Sequence, residues 1–103
     1  MDKEEILNIS KRFVDIIRNF YDINKVILFG SYAKGTPNAS SDIDLAIFLK
    51  EKPDDIIKAE TELYKLRRNI DSRIEPLIIL EEYDPSGFLL DILDNGIVIF
   101  SSE

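Results

Sequence analysis

Val26-Ile27-Leu28-Phe29-Gly30-Ser31, followed after ten intervening residues by Asp42-Ile43-Asp44-Leu45-Ala46-Ile47-Phe48-Leu49, is the stretch whose reading decides the fold. The first run is continuously apolar and stops at a glycine, the pattern of a buried strand running into a turn. Ser31 can cap a short helix through Lys34, and Gly35-Thr36-Pro37-Asn38-Ala39-Ser40-Ser41 supplies loop chemistry before a second strand. Along that strand Ile43, Leu45, Ile47 and Leu49 fall on one face, and Asp42, Asp44, Ala46 and Phe48 on the other. Both acids therefore sit at one end of one face.

Outward from this pair of strands, helical and extended patterns alternate. Ile6, Ile9, Phe13, Ile16, Ile17 and Phe20 recur at three- and four-residue spacing and predict a helix over 3–20, with Asn24-Lys25 interrupting before the first strand. Pro53 suits the first turn of a second long helix, which continues through Ile56, Ala59, Leu63, Leu66 and Ile70. Residues 71–80 read as a third strand, in which Pro76 lacks an amide donor and points to an edge or limited pairing. Asp84-Pro85 can start a last helix through about Leu93, stopped by Asn95-Gly96, and Ile97-Val98-Ile99-Phe100 adds a short strand. With no repeat, linker or low-complexity tract, the expectation is one α/β domain over 1–103, helices packed on a small mixed β-sheet. The strand order is not readable from the pattern.

Composition removes many chemistries. The 103 residues, 45% of them hydrophobic, suffice for one core without covalent staples. Neither cysteine nor histidine occurs, which excludes disulfides, thiolate nucleophiles, zinc-thiolate sites and imidazole bases. Acid, base and metal chemistry fall to the 20 carboxylates, the 13 Lys and Arg residues, hydroxyls and backbone amides. A formal charge of −7 opposes a large nucleic-acid footprint and suits a basic protein partner. The charged N-terminus is unlike a signal peptide, and no apolar run approaches the ~20 residues of a membrane span, so the expected setting is cytoplasmic, without membrane attachment.

The segment with chemical content is Gly30-Ser31 paired with Asp42-Ile43-Asp44. Gly30-Ser31 alone would be an ordinary strand-to-helix turn; the acids downstream change its meaning. Glycine lets a phosphate approach the main chain, and Ser31 adds a hydroxyl where helix-start amides face an anion. Asp42 and Asp44, with Cα atoms ~6.6 Å apart on a strand, project the same way, and their hard oxygens favour magnesium. Two metals ~3.5–4 Å apart would activate an attacking hydroxyl and steady a leaving pyrophosphate. Asp71, Arg73 and Glu75 share one face of the third strand, so periodicity offers either Asp71 or Glu75 as a third carboxylate.

These residues resemble the nucleotidyltransferases of the DNA polymerase β superfamily, and among them the minimal nucleotidyltransferases. The resemblance is carried by Phe29-Gly30-Ser31-Tyr32-Ala33-Lys34-Gly35 and Ser41-Asp42-Ile43-Asp44-Leu45-Ala46-Ile47 at the family's spacing, and by Ile74-Glu75-Pro76, similar to its third-acid strand. It implies the polymerase β-like fold, magnesium on Asp42 and Asp44, and Glu75 over Asp71 as the third acid, activating the acceptor hydroxyl. The catalytic and metal-binding set is then Asp42, Asp44 and Glu75, with Mg2+ as cofactor and ATP as substrate. The nucleotide-binding set is Gly30, Ser31, Lys34 and Ser41. Similar minimal members are encoded beside a HEPN-domain ribonuclease toxin and silence it, as antitoxins, by transferring AMP from ATP to a toxin tyrosine. Lys34 stands where many relatives have arginine, which keeps the charge and loses the bidentate fork. With nothing after Glu103, the acceptor-binding domain of larger relatives is expected to be absent, and the acceptor to bring its own recognition surface.

Other features have plainer readings beside functional ones. Lys34 is either a phosphate contact or a solvated loop cation. Lys65-Leu66-Arg67-Arg68 reads as a solvated helix end whose cations suit the dipole, with an interface role second. Phe88, Leu89, Leu90, Ile92 and Leu93 exceed what one face of a short helix needs; beyond the core, a remaining patch would dock a partner or a second copy, giving a hetero- or homo-oligomer. Two rival functions stand beside AMP transfer to a toxin. One is an antitoxin that neutralises by binding alone, and the other is transfer to a small hydroxyl compound or an RNA end.

Overall fold

Alternation along the second strand, β2 (Ile43–Leu49), divides the core between the two faces of a sheet. The computed structural model describes residues 3–35, 42–80 and 87–102, and of Ser31 and Lys34 the main chain alone. Ile43, Leu45 and Ile47 join Val26 and Leu28 of β1 (Ile23–Phe29) in the larger core, under α1 (Lys3–Ile17) and α3 (Ile56–Leu66). Ala46 and Phe48 point the other way and meet Ile27 and Ile92, the latter from α4 (Phe88–Asn95).

The remaining elements are α2 (Ser31–Lys34), β3 (Ile74–Ile79) and β4 (Ile97–Ser101), and the four strands lie in the order β3-β2-β1-β4. The sheet is mixed: β1 is antiparallel to β2 and β4, whereas β2 and β3 are parallel. Parallel neighbours need a long crossover, and α3 supplies it. No helix among the described residues is long and apolar enough to cross a membrane.

Pro76 takes the position its missing amide requires. β3 is an edge strand, and Ile43 N–H donates to Arg73 C=O at 2.9 Å. In a parallel ladder the odd-numbered residues of β3 therefore face β2, while the main-chain groups of Ile74 and Pro76 face away. Ile74 is satisfied locally: its N–H donates to Asp71 C=O, and its C=O accepts from Arg67 Nη1 at 2.7 Å. Proline thus costs the ladder nothing.

Several expected boundaries move for local reasons. α1 ends at Ile17, and Asn19 and Phe20 donate to Ile16 and Ile17 in a tighter turn, leaving Phe20 exposed. Asn24-Lys25 does not interrupt ahead of β1 but lies inside it, where the register with β2 shifts between Ile23 and Lys25. Pro53 precedes α3 instead of opening it, because the Asp55 carboxylate caps the helix by accepting from Lys58 N–H at 3.0 Å. The helix also stops short of Ile70, tightening into a 3-10 turn over Arg67–Asn69. The proposed helix start at Asp84-Pro85 lies outside the described residues. Asn95-Gly96 ends α4 as expected, and a Cβ on Gly96 would strike Ile27 and the carbonyls of Ile92 and Leu28.

Candidate active site

The β1 strand delivers Gly30 to the end of the sheet that carries the acids. Phe29 pairs with Asp44 across the antiparallel ladder, so the next residue turns over the Asp44 side chain. Gly30 has φ +76°, and a Cβ there would overlap the Asp44 carboxylate. Two independent constraints, backbone conformation and close approach, therefore demand glycine at this position. α2 begins at the following residue, placing a short helix start beside the turn.

On the other side of β2, Asp44 pairs with Glu75 of the parallel β3 strand. Side chains of paired strand residues emerge on the same face, so the two carboxyls are neighbours. Asp42 lies immediately before β2 and is exposed, as is Glu75, whereas Asp44 is part-buried. Burial pushes the Asp44 carboxyl up from 3.8 to about 6, and the charges of Glu75 and then Asp42 add to the effect. One carboxyl is thus surrounded by like charge in a partly desolvated place.

Asp71, the other acid offered by periodicity, is occupied elsewhere. It pairs with Arg73 at 2.6 Å and accepts a further bond from the Arg73 amide at 2.9 Å. Those hydrogen bonds from Arg73 hold its carboxyl below the ordinary range. It serves as the turn residue that starts β3, and it is Glu75 that faces Asp44.

The side chains of Ser31 and Lys34, and all of Ser41, lie outside the described residues, so the nucleotide side of the expected set is represented by Gly30. Among the described residues no three acids converge into a ready-made metal cage. Magnesium ordinarily takes one or two carboxylates together with substrate phosphate oxygens, and the donors present suit that mode.

Two flanking residues, read in the sequence as a solvated helix end or interface cation and as part of a core or docking patch, have specific contacts beside the site. Arg67, expected to be a solvated helix-end cation, instead holds the Ile74 carbonyl and lies over the Tyr64 ring, 4.7 Å from its centroid. The i, i+3 spacing of Tyr64 and Arg67 across the end of α3 was the available signal. On the opposite flank Phe88 meets Phe29 edge to face, with centroids 5.7 Å apart. A hollow bordered by Asn24, Leu49, Lys50, Glu51 and Ile79 lies at the far end of the strands and takes no part in this arrangement.

A glycine turn against a strand-borne carboxyl, flanked in register by a second on a small mixed sheet, defines the nucleotidyltransferase class. The chain belongs to the polymerase beta nucleotidyltransferase family, whose pattern matches residues 11–103. It is similar to a Methanocaldococcus jannaschii protein named a protein adenylyltransferase, 31% identical over 100 residues and covering 92% of this chain and 99% of the relative. A toxin–antitoxin crystal structure with AMP-PNP is 28% identical, with a TM-score of 0.68 over 93% of this chain and 75% of the matched one. A Shewanella oneidensis complex of a tri-AMPylated HEPN toxin with an MNT antitoxin shares the fold, at 24% identity and a TM-score of 0.62 over 98% and 74% of the two chains.

Proposed function

We propose that this nucleotidyltransferase is an antitoxin that transfers AMP from ATP to a tyrosine hydroxyl of a HEPN-domain toxin, releasing pyrophosphate. The observation that carries the reading is the contact of Gly30 with Asp44 on one side and the register of Asp44 with Glu75 on the other. This order supports a triphosphate over the Gly30-Ser31 turn, with Lys34 and Ser41 on the nucleotide side. In this reading the reacting phosphorus lies at Asp42 and Asp44, and the acceptor oxygen at Glu75. The names of the adenylyltransferase relative and of the toxin–antitoxin neighbours support the acceptor class.

Asp42 and Asp44, with Glu75 beside them, would hold magnesium. Burial first, and then the charges of Glu75 and Asp42, raise the Asp44 carboxyl, and a bound cation would offset that cost. Bound there, the ion supplies charge neutralisation for the phosphates and the departing pyrophosphate. The chain's own residues do the rest. Gly30 admits the phosphate to the main chain, and Glu75, exposed at the sheet edge, takes the proton of the incoming hydroxyl. A cytoplasmic setting, where ATP and magnesium are abundant, fits this chemistry.

The test is intact-mass spectrometry of the HEPN partner after incubation with the protein, ATP and magnesium. A gain of whole AMP units, absent with Asp42→Asn/Asp44→Asn, is expected. A stable complex that protects against the toxin without any mass gain would overturn transfer and leave neutralisation by binding.

A further inference from the structure

The two faces of the sheet are unequally open to an incoming group. α1 and α3 cover the face that carries Ile43, Leu45 and Ile47. Asp44 has the parity of Ala46 and Phe48, which pack with Ile92 of α4, and Glu75 is in register with Asp44. Both carboxyls therefore open on the α4 side, and an acceptor that reaches them comes past that helix.

α4 is apolar on more than its inner line. Leu89 and Ile92 pack on the sheet, and on one flank Phe88 meets Phe29, the residue before Gly30. On the other flank Leu90 and Leu93, neighbours at i, i+3, are 61% and 45% exposed. Val98 of β4, 57% exposed, lies on the same sheet face, paired with Ile27, which packs with Ile92. Charge is as unevenly placed. Residues 1–73 hold all 13 Lys and Arg residues and 13 acids, whereas residues 74–103 hold seven acids and no Lys or Arg. The whole formal charge of −7 therefore belongs to the stretch that includes β3, α4 and β4. Asp91 and Asp94 are exposed on α4 next to the leucines, and neither forms an ion pair among the described residues. Asn95 Nδ2 donates to Asp91 at 2.8 Å, which leaves the charge in place.

We infer that this flank of α4, with Val98 beside it, is the docking surface for a protein partner that presents a basic amphipathic segment; this rests on the reading that the acceptor is a protein. Aliphatic side chains at the centre of that segment cover Leu90 and Leu93, and Lys or Arg residues at its rim meet Asp91 and Asp94. A second copy of the chain fits poorly, because a two-fold contact sets the same surface against itself, acid facing acid. Strand addition at the β4 edge is hindered as well, since the register with β1 shifts beside Val98. A partner on this flank lies about 10 Å, one helix diameter, from the Phe88–Phe29 contact that leads to the Gly30 turn.

The experiment measures binding of the HEPN partner to the full chain by surface plasmon resonance over a range of salt, with AMP transfer to that partner followed by mass in parallel. Leu90→Gln/Leu93→Gln should weaken binding by at least about 10-fold and raise the KM for the partner with kcat unchanged. Asp91→Asn/Asp94→Asn should slow association and flatten its salt dependence. Ile57→Gln, at an 80% exposed position of α3, should bind as the parent does. Urea midpoints and binding of a fluorescent ATP analogue, unchanged from the parent, show that the variants are folded. Parent-like binding by the leucine variant, equal weakening by Ile57→Gln, or a salt dependence that the aspartate variant leaves intact would overturn the inference and leave the proposed function standing. So would self-association of the chain that the leucine variant abolishes. A partner that docks through this flank and gains no AMP would overturn the transfer reading and leave the inference standing. No complex with the parent would overturn both.

Discussion

Replacing Asp44 with asparagine should make the free protein more stable while removing its activity. Each tenfold change in proton affinity is worth about 1.4 kcal/mol. The rise of the Asp44 carboxyl from 3.8 to about 6 thus corresponds to at most about 3 kcal/mol against the ionised form. Asp44 is only part-buried, and solvent screening reduces the expected effect to about 1 kcal/mol. The sign follows from linkage. The folded state holds this proton more tightly than the unfolded chain, so its contribution is fully present below pH 3.8 and is lost as pH rises toward 6. Asp44→Asn removes the titration. It should therefore unfold with about 1 kcal/mol more resistance than the parent at pH 7, or about 4–8 °C higher in Tm for a domain of this size. The two should converge near pH 3.8. Urea titrations of both proteins at several pH values, in chelator and without nucleotide, measure the difference. An Asp44→Asn protein no more stable than the parent at pH 7, or a stability gap independent of pH, would refute the electrostatic account of this site.

Four further substitutions test other parts of the structure. Gly30→Ala places a Cβ on the Asp44 carboxylate at a left-handed φ, and should cost about 1–3 kcal/mol in denaturant unfolding and weaken ATP binding measured by calorimetry. Glu75→Gln should lower the rate of AMP transfer by about 10²-fold or more through loss of the proposed base. Asp71→Asn should leave that rate within a few-fold, since it loosens only the Arg73 turn, by about 1 kcal/mol in the same unfolding assay. Leu63→Ala, in α3 and fully buried, should lower stability by about 2–5 kcal/mol in urea titration without changing the pattern of strand amide protection in the surviving fold.

The local patterns were legible because they depend on period and on the chemistry of single residues. Alternation in β2 sorts Ile43, Leu45 and Ile47 from Asp44, Ala46 and Phe48 wherever the strand is placed, and the structure divides them between two cores in that way. Pro76 announced an edge because a missing donor can be tolerated only where no neighbour needs it. Element ends were read less well. Asp55 outcompeted Pro53 as the start of α3 by accepting an amide, and Asn24-Lys25 was drawn into β1 by pairing with β2 and β4.

The sequence by itself determined which groups are available for chemistry: carboxylates on alternating strands and a glycine before a helix start, in a chain without histidine or cysteine. Only the tertiary structure decided which of these meet. Asp71 and Glu75 have the same parity along the stretch read as the third strand, and no periodicity distinguishes them. The parallel register sets Glu75 beside Asp44, while the turn before β3 gives Asp71 to Arg73. Likewise, nothing in the local sequence requires Gly30 to lie on Asp44 or Arg67 to hold the carbonyl before Glu75. The physical reason is that side-chain direction repeats with the local backbone geometry, whereas register is fixed by the packing of whole faces, Ile74 and Ile78 beneath α3 and Ile27 and Phe48 beneath α4.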